Sequence, residues 1–194
     1  MARDRASRPE AKPLRLFVAV EVPAEAKAVV AAAIEPLRRD FPAARWAPEE
    51  NWHVTMKFLG ATYPRLVTWV QGSLDEAAAG IAAFRTRIVG VGAFPSARRA
   101  RVVWAGLDDR SGRLAGLALA IDAVLAAEFR PETRPFRAHL TVARSDPPLE
   151  LPDTFGAAPL ESEPFRVGRI VLFRSHLGRP APRYEALREF RLES

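Results

Sequence analysis

Apolar and polar positions along the chain alternate with two different periods, and together they predict strands and helices in turn. Leu14 to Val20 is short, apolar and β-rich, which reads as a buried strand. Pro23 stands where a helix would begin, and Ala24 to Arg39 carries apolar residues at helical spacing, with Pro36 disturbing the last turn. Trp52 to Leu59 alternates as a strand and stops at Gly60. Pro64 opens a second helix that runs towards Ala79 and ends at Gly80. Phe84 to Val91 and Arg101 to Ala105 read as paired strands, turned by the segment Gly92 to Ala97. Leu114 to Phe129 is the clearest helix, with Leu114, Leu117, Ala118, Ile121, Val124 and Leu125 on one face. Ala138 to Ala143 is a further strand. Ser145 to Pro164 is Pro-rich and reads as a loop, and Phe165 to Phe173 and Tyr184 to Leu192 are strands returning to the body.

Each half of this pattern holds one strand with the same triplet: His53-Val54-Thr55 in the first and His139-Leu140-Thr141 in the second. The chain has 3 His, and two of them have Thr two positions on. Side chains on a strand alternate between faces. His53 and Thr55 therefore share a face opposite Val54 and Met56, and His139 and Thr141 share a face opposite Leu140 and Val142. Two such strands meeting across a groove would set two imidazoles on either side of one substrate atom. That suits in-line displacement at phosphorus: one imidazole takes a proton from water and the other gives one to the leaving oxygen. The Thr hydroxyls can donate to non-bridging phosphate oxygens, and Arg144 can add a charge-assisted fork.

Plainer readings stand beside these. A single His-x-Thr on a strand is ordinary sheet composition, whereas the doubled triplet argues for chemistry. Arg144 could be a surface arginine. Phe58, five positions after His53, is most simply a core residue, with base stacking as the other reading. Trp46, Trp52, Trp69 and Trp104 read as core or groove walls. A metal site joining His176 to the other histidines is disfavoured by the basic stretch Arg174 to Arg179, and no metal ligands are assigned. The chain has no P-loop and no Gly-x-Ser-x-Gly elbow.

Composition changes this picture only a little. At 194 residues the chain fits a single bilobal domain, with residues 1–12 as a disordered tail. The net charge of +6 favours an anionic partner. Arg so outnumbers Lys, alongside abundant Ala and Pro, that coding bias explains much of that excess. There is no Cys, no signal-peptide h-region and no apolar run of membrane-spanning length. A cytoplasmic monomer with no membrane association is the expectation.

In their extended contexts the two motifs resemble the two-histidine phosphoesterase superfamily, and within it the RNA 2′,3′-cyclic phosphodiesterases historically called 2′-5′ RNA ligases. The resemblance rests on Trp46 to Gly60 and on Arg134 to Arg144, with support from Arg15 to Val20, Ser175 to Gly178 and Tyr184 to Leu187. It implies an α+β, bilobal fold, with two antiparallel sheets facing a central cleft and helices outside. It also implies hydrolysis of RNA 2′,3′-cyclic phosphate ends to 2′-phosphates with no cofactor. By the same resemblance His53 is the proton donor and His139 the acceptor. Thr55, Thr141 and Arg144 hold the phosphate, and Phe58 falls where the terminal base can stack. Ala138 departs from a frequent Pro. Two other functions remain open: a phosphodiesterase for a small cyclic nucleotide or ADP-ribose cyclic phosphate, and a non-catalytic RNA-end binding protein.

Overall fold

The structure, a computed structural model, describes residues 12–156 and 159–193. The predicted tail at residues 1–12 lies outside these, Lys12 apart. The described elements, in order, are β1 (Leu14–Glu21), α1 (Ala24–Asp40), β2 (Arg45–Trp46), β3 (His53–Thr62), α2 (Pro64–Ala79), β4 (Phe84–Thr86), β5 (Ile88–Phe94), β6 (Ala100–Leu107), α3 (Arg113–Leu125), β7 (His139–Leu149), β8 (Phe165–Val167), β9 (Arg169–His176) and β10 (Arg183–Arg191). No described helix is long and apolar enough to cross a membrane.

The strands pair antiparallel in the order β10-β9-β1-β3-β7-β6-β5, with β2 also on β7. The two sheets that the resemblance implies are the two halves of this array. One is β10-β9-β1-β3 and the other is β7-β6-β5 with β2. They meet through a single residue pair, Val54 opposite Leu140. Past that pair β2 takes over the same edge of β7, with Arg45 opposite Arg144 and Trp46 opposite Ala143. The Ala47 N–H donates to the Val142 carbonyl at 2.8 Å and closes the handover.

The three helices supply apolar stripes to one core. Ala26, Val30 and Ile34 of α1, Val70 and Leu74 of α2, and Leu114, Leu117 and Ile121 of α3 are buried with Leu16, Val18, Val20, Val54 and Leu140 from the strands. Each fully buried Leu, Ile or Val contributes about 1.5–3 kcal/mol of transfer free energy. Pro36 does not end α1, which runs to Asp40. The carbonyl that loses its helical donor belongs to Ala32, an exposed residue. Gly112 begins α3 at φ 69°. The Asp109 carboxylate accepts from the Leu114 and Ala115 N–H groups at 2.8 and 2.9 Å.

Several expectations are corrected. The segment Phe84 to Val91 is not one strand: Phe84–Thr86 leaves to pair with β8 in a separate two-stranded sheet, and Ile88–Phe94 pairs with β6. The third helix stops at Leu125 rather than Phe129, and Gly168 divides Phe165 to Phe173 into two strands. Strand β7 runs on through Pro147 and Pro148, which the Pro-rich composition assigned to a loop. Registered pairs with β6 stop at Arg144 and resume at Leu149, so both prolines lie where no ladder N–H is required.

Candidate active site

Val54 and Leu140 are both 0% exposed, so the one pair joining the halves points into the core. The residues flanking each of them must face the other way. Continuing the antiparallel register one step on either side sets His53 across from Thr141 and Thr55 across from His139. The two His-x-Thr triplets thus form one four-residue array about a local two-fold axis. The imidazoles occupy its diagonal, where neighbours in an antiparallel pair are about 7–8 Å apart and their Cβ atoms somewhat closer.

Strict alternation would send the residue five places after each histidine into the core. Neither goes there. In β3 the pairing with β1 skips Met56, with Thr55 opposite Ala19 and Lys57 opposite Val18. In β7 the pairing with β6 skips Val142, with Thr141 opposite Trp104 and Ala143 opposite Val103. Each skip is a β-bulge, which puts two successive residues inward and reverses the phase beyond it. Met56 and Lys57 are both buried, as are Val142 and Ala143. Phe58 therefore emerges on the histidine face, 67% exposed, and the simpler reading of it as core is overturned. Arg144 emerges on the same face and is exposed. The structure brings His53, Thr55, Phe58, His139, Thr141 and Arg144 to one side of the sheet.

Both imidazoles are oriented by the same local contact. His53 Nδ1–H donates to the Asn51 carbonyl at 2.8 Å, and His139 Nδ1–H donates to the Arg137 carbonyl at 2.7 Å. A carbonyl only accepts, so each neutral ring keeps its proton on Nδ1 and leaves Nε2 as the nitrogen with a free lone pair. The Thr55 hydroxyl lies 3.1 Å from His53 Nε2 and donates to it. The Asn51 side chain also donates to the Pro182 carbonyl at 2.7 Å, tying the first triplet to the β9–β10 connection.

The surroundings of the two rings differ. Phe17 stacks on His53 with centroids 4.8 Å apart, and Tyr184 meets it edge-on at 5.3 Å. Burial, opposed by the Asn51 carbonyl and reinforced by the charges of Lys27, His139 and Arg144, pushes the His53 pKa down to about 4. His139 is less enclosed, with Phe94 edge-on at 5.2 Å and Trp104 at 6.2 Å. Its pKa is lowered too, chiefly by burial, with Arg144 adding to the effect.

Phe17, Phe94, Asn51 and Tyr184 carried no assignment in the sequence as parts of a site. For Phe17 the missing signal is parity: β1 is apolar on both faces, so nothing marked which face would meet the histidines. Gly92 is a comparable case. A Cβ there would lie 2.1 Å from Trp104 Cζ2, so only glycine leaves room for the indole beside His139.

His176 stands apart at the end of β9, where its Nε2 lies 2.6 Å from a Glu185 carboxylate oxygen. Among the described residues no group of three or more His, Cys, Asp or Glu is placed to hold a metal. Depressions of about 450 Å³ beside Arg85, Arg87 and Arg110 and about 350 Å³ beside Asp40 and Glu150 lie elsewhere, and neither histidine lines them. Volume points away from the histidines, and the convergence of titratable groups points to them. The histidine face is therefore the candidate site.

A two-lobed antiparallel α+β fold with paired His-x-Thr strands defines a class, and the family comparison names it. The 2'-5' RNA ligase superfamily model matches residues 23–179, and the chain belongs to that family. Among curated relatives, the RNA 2',3'-cyclic phosphodiesterase of Geobacillus stearothermophilus is 28% identical over 179 residues, covering 91% of this chain and 56% of that protein. This chain thus spans little more than half of that relative's length. The RNA 2',3'-cyclic phosphodiesterase of Aeropyrum pernix is 31% identical over 153 residues, covering 75% of this chain and 85% of that one. A crystal structure from Thermus thermophilus superposes with TM-score 0.78 at 27% identity, over 93% of this chain and 99% of that one. Escherichia coli LigT complexed with phosphate superposes with TM-score 0.73 at 25% identity, over 95% of this chain and all of the other.

Proposed function

We propose that this protein hydrolyses 2′,3′-cyclic phosphate ends of RNA to 2′-phosphomonoesters with no metal or nucleotide cofactor, as a cytoplasmic monomer. The observation that carries the reading is the antiparallel array of the two triplets, with both Nε2 atoms as the reactive nitrogens. The names of the curated relatives supply the substrate class.

In the proposed reaction a water oxygen attacks phosphorus in line with the 3′ oxygen. His139 Nε2 accepts the water proton as the new P–O bond forms. His53 Nε2–H gives its proton to the 3′ oxygen as the P–O3′ bond breaks, leaving a 2′-phosphate. Exchange with solvent then returns the proton from His139 to His53. Thr55, Thr141 and Arg144 donate to the non-bridging oxygens, where charge accumulates. Phe58 offers its exposed face to the terminal base.

Burial works against the donor role in the free protein, because it makes His53 the more reluctant of the two to hold a proton. The anionic phosphate bound between the rings offsets that by favouring an imidazolium beside it. The Thr55 hydroxyl, which donates to His53 Nε2 in the free protein, turns to the phosphate when Nε2 is protonated.

The test is hydrolysis of an RNA 2′,3′-cyclic phosphate in excess chelator with product mapping. A 2′-phosphate product that disappears in His53→Ala and His139→Ala is expected. Activity that requires added metal, or turnover unaltered in both variants, would overturn the reading. Oligonucleotide and mononucleotide substrates run in parallel separate it from a small-cyclic-nucleotide enzyme.

A further inference from the structure

Strand β2 is two residues long, yet it sets one arginine beside another. Arg45 is the direct cross-strand neighbour of Arg144, so their side chains leave the same face of the sheet. Both are exposed. Neither has an ion-pair partner among the described residues, and they face each other across the strand pair with no carboxylate to separate their charges. Like charges directly opposite on a sheet destabilise it, so an uncompensated pair here calls for an anion.

The backbone beneath Arg45 is well fixed. The Trp46 indole N–H donates to the Phe41 carbonyl at 3.0 Å, and the Arg38 guanidinium lies 5.9 Å from the Trp46 ring centroid. Arg45 is thus presented from a held strand. Arg144 belongs to the reacting centre, since its charge bears on both histidines. Arg45 is not among the charges bearing on either ring and lies further along the edge of β7, past the point where β3 meets it.

We infer that Arg45 contacts a second phosphate, the phosphodiester joining the terminal nucleotide to the rest of an RNA chain. This rests on the proposed function and selects within it. A cyclic mononucleotide has one phosphate, which Arg144 takes, and gives Arg45 nothing to hold. An RNA end has both, and the adjoining phosphodiester relieves the repulsion between the arginines.

The experiment compares kcat/KM for a nucleoside 2′,3′-cyclic phosphate and for an oligonucleotide ending in the same group, in wild type, Arg45→Ala and Arg45→Lys. The oligonucleotide-to-mononucleotide ratio is expected to fall about five- to tenfold in Arg45→Ala and to be largely restored in Arg45→Lys. Equilibrium binding of a 2′-phosphate-ended oligonucleotide should lose about 0.7 from its log–log salt slope in Arg45→Ala. An unaltered ratio together with an unaltered slope overturns the inference. Failure of the proposed function looks different: wild type then turns over neither substrate, and the salt slope alone decides the role of Arg45.

Discussion

His53 and His139 are held by the same backbone contact in unlike surroundings. Each ring donates from Nδ1 to the carbonyl two residues before it, and each is followed by a Thr and then by a bulge. Beyond that the halves diverge. The first bulge delivers an aromatic, Phe58, and the second a cation, Arg144. Phe17 and Tyr184 close around His53, whereas Phe94 and Trp104 leave His139 more open to water. A near-symmetric scaffold therefore carries an asymmetric pair of titrating groups, and it is burial rather than motif that separates them.

The largest test of this asymmetry exchanges the leaving group. His53→Ala and His139→Ala should each lose about 10²–10⁴ in kcat on a cyclic phosphate. On a nitrophenyl phosphodiester, whose leaving group needs no protonation, His53→Ala should recover most of its loss and His139→Ala should not. Equal recovery in both would erase the proposed division of labour.

The pH dependence tests the shared part of the environment. Both imidazole pKa values are lowered from 6.5. The singly protonated pair is most populated between the two values, whichever ring holds the proton. The kcat/KM optimum is therefore expected below pH 6.5, and an optimum above pH 7 would refute it. Phe17→Leu should then raise the His53 pKa by about one unit in a histidine NMR titration, because it opens the stacked face to water, and leave His139 where it was. Movement of both would mean that the two halves are not independent.

The same burial bears on stability. His53 binds its proton at about 4 when folded and near 6.5 when unfolded, so the unfolded state takes up the proton first as pH falls. Its contribution is full above pH 6.5 and declines between 6.5 and 4, with a slope of up to about 1.4 kcal/mol per pH unit. Denaturant titrations of His53→Gln should flatten that decline relative to wild type, and His139→Gln should flatten it less. An identical pH dependence in wild type and His53→Gln would count against the burial of His53.

Lys57 shows how the two halves are also tied together. The first bulge turns it inward, 7% exposed, to pair with Asp122 on α3 and to donate to the Arg130 carbonyl at 3.1 Å. Asp122 in turn accepts from the Glu132 N–H at 3.2 Å. The chain leading into the second triplet is therefore anchored to the first triplet's strand. Strict alternation from His53 would have placed Lys57 beside the imidazole, so its burial was invisible to a period of two.

By itself the sequence singled out the candidate histidines and threonines, because a doubled triplet and the parity within it are local properties of the chain. It likewise marked α1, α2 and most of the long strands, whose periodicity is continuous. It left open where each strand would lose its phase, which partner β4 would choose, and how far β7 would run through its prolines. Those depend on the neighbouring ladder. A bulge exists only relative to a partner strand, and a proline is tolerated only where that partner needs no N–H. The positions of Phe58 and Arg144, the meeting of the halves at Val54 and Leu140, and the unequal burial of two similar histidines were decided by tertiary packing, since solvent access is a property of the assembled surface.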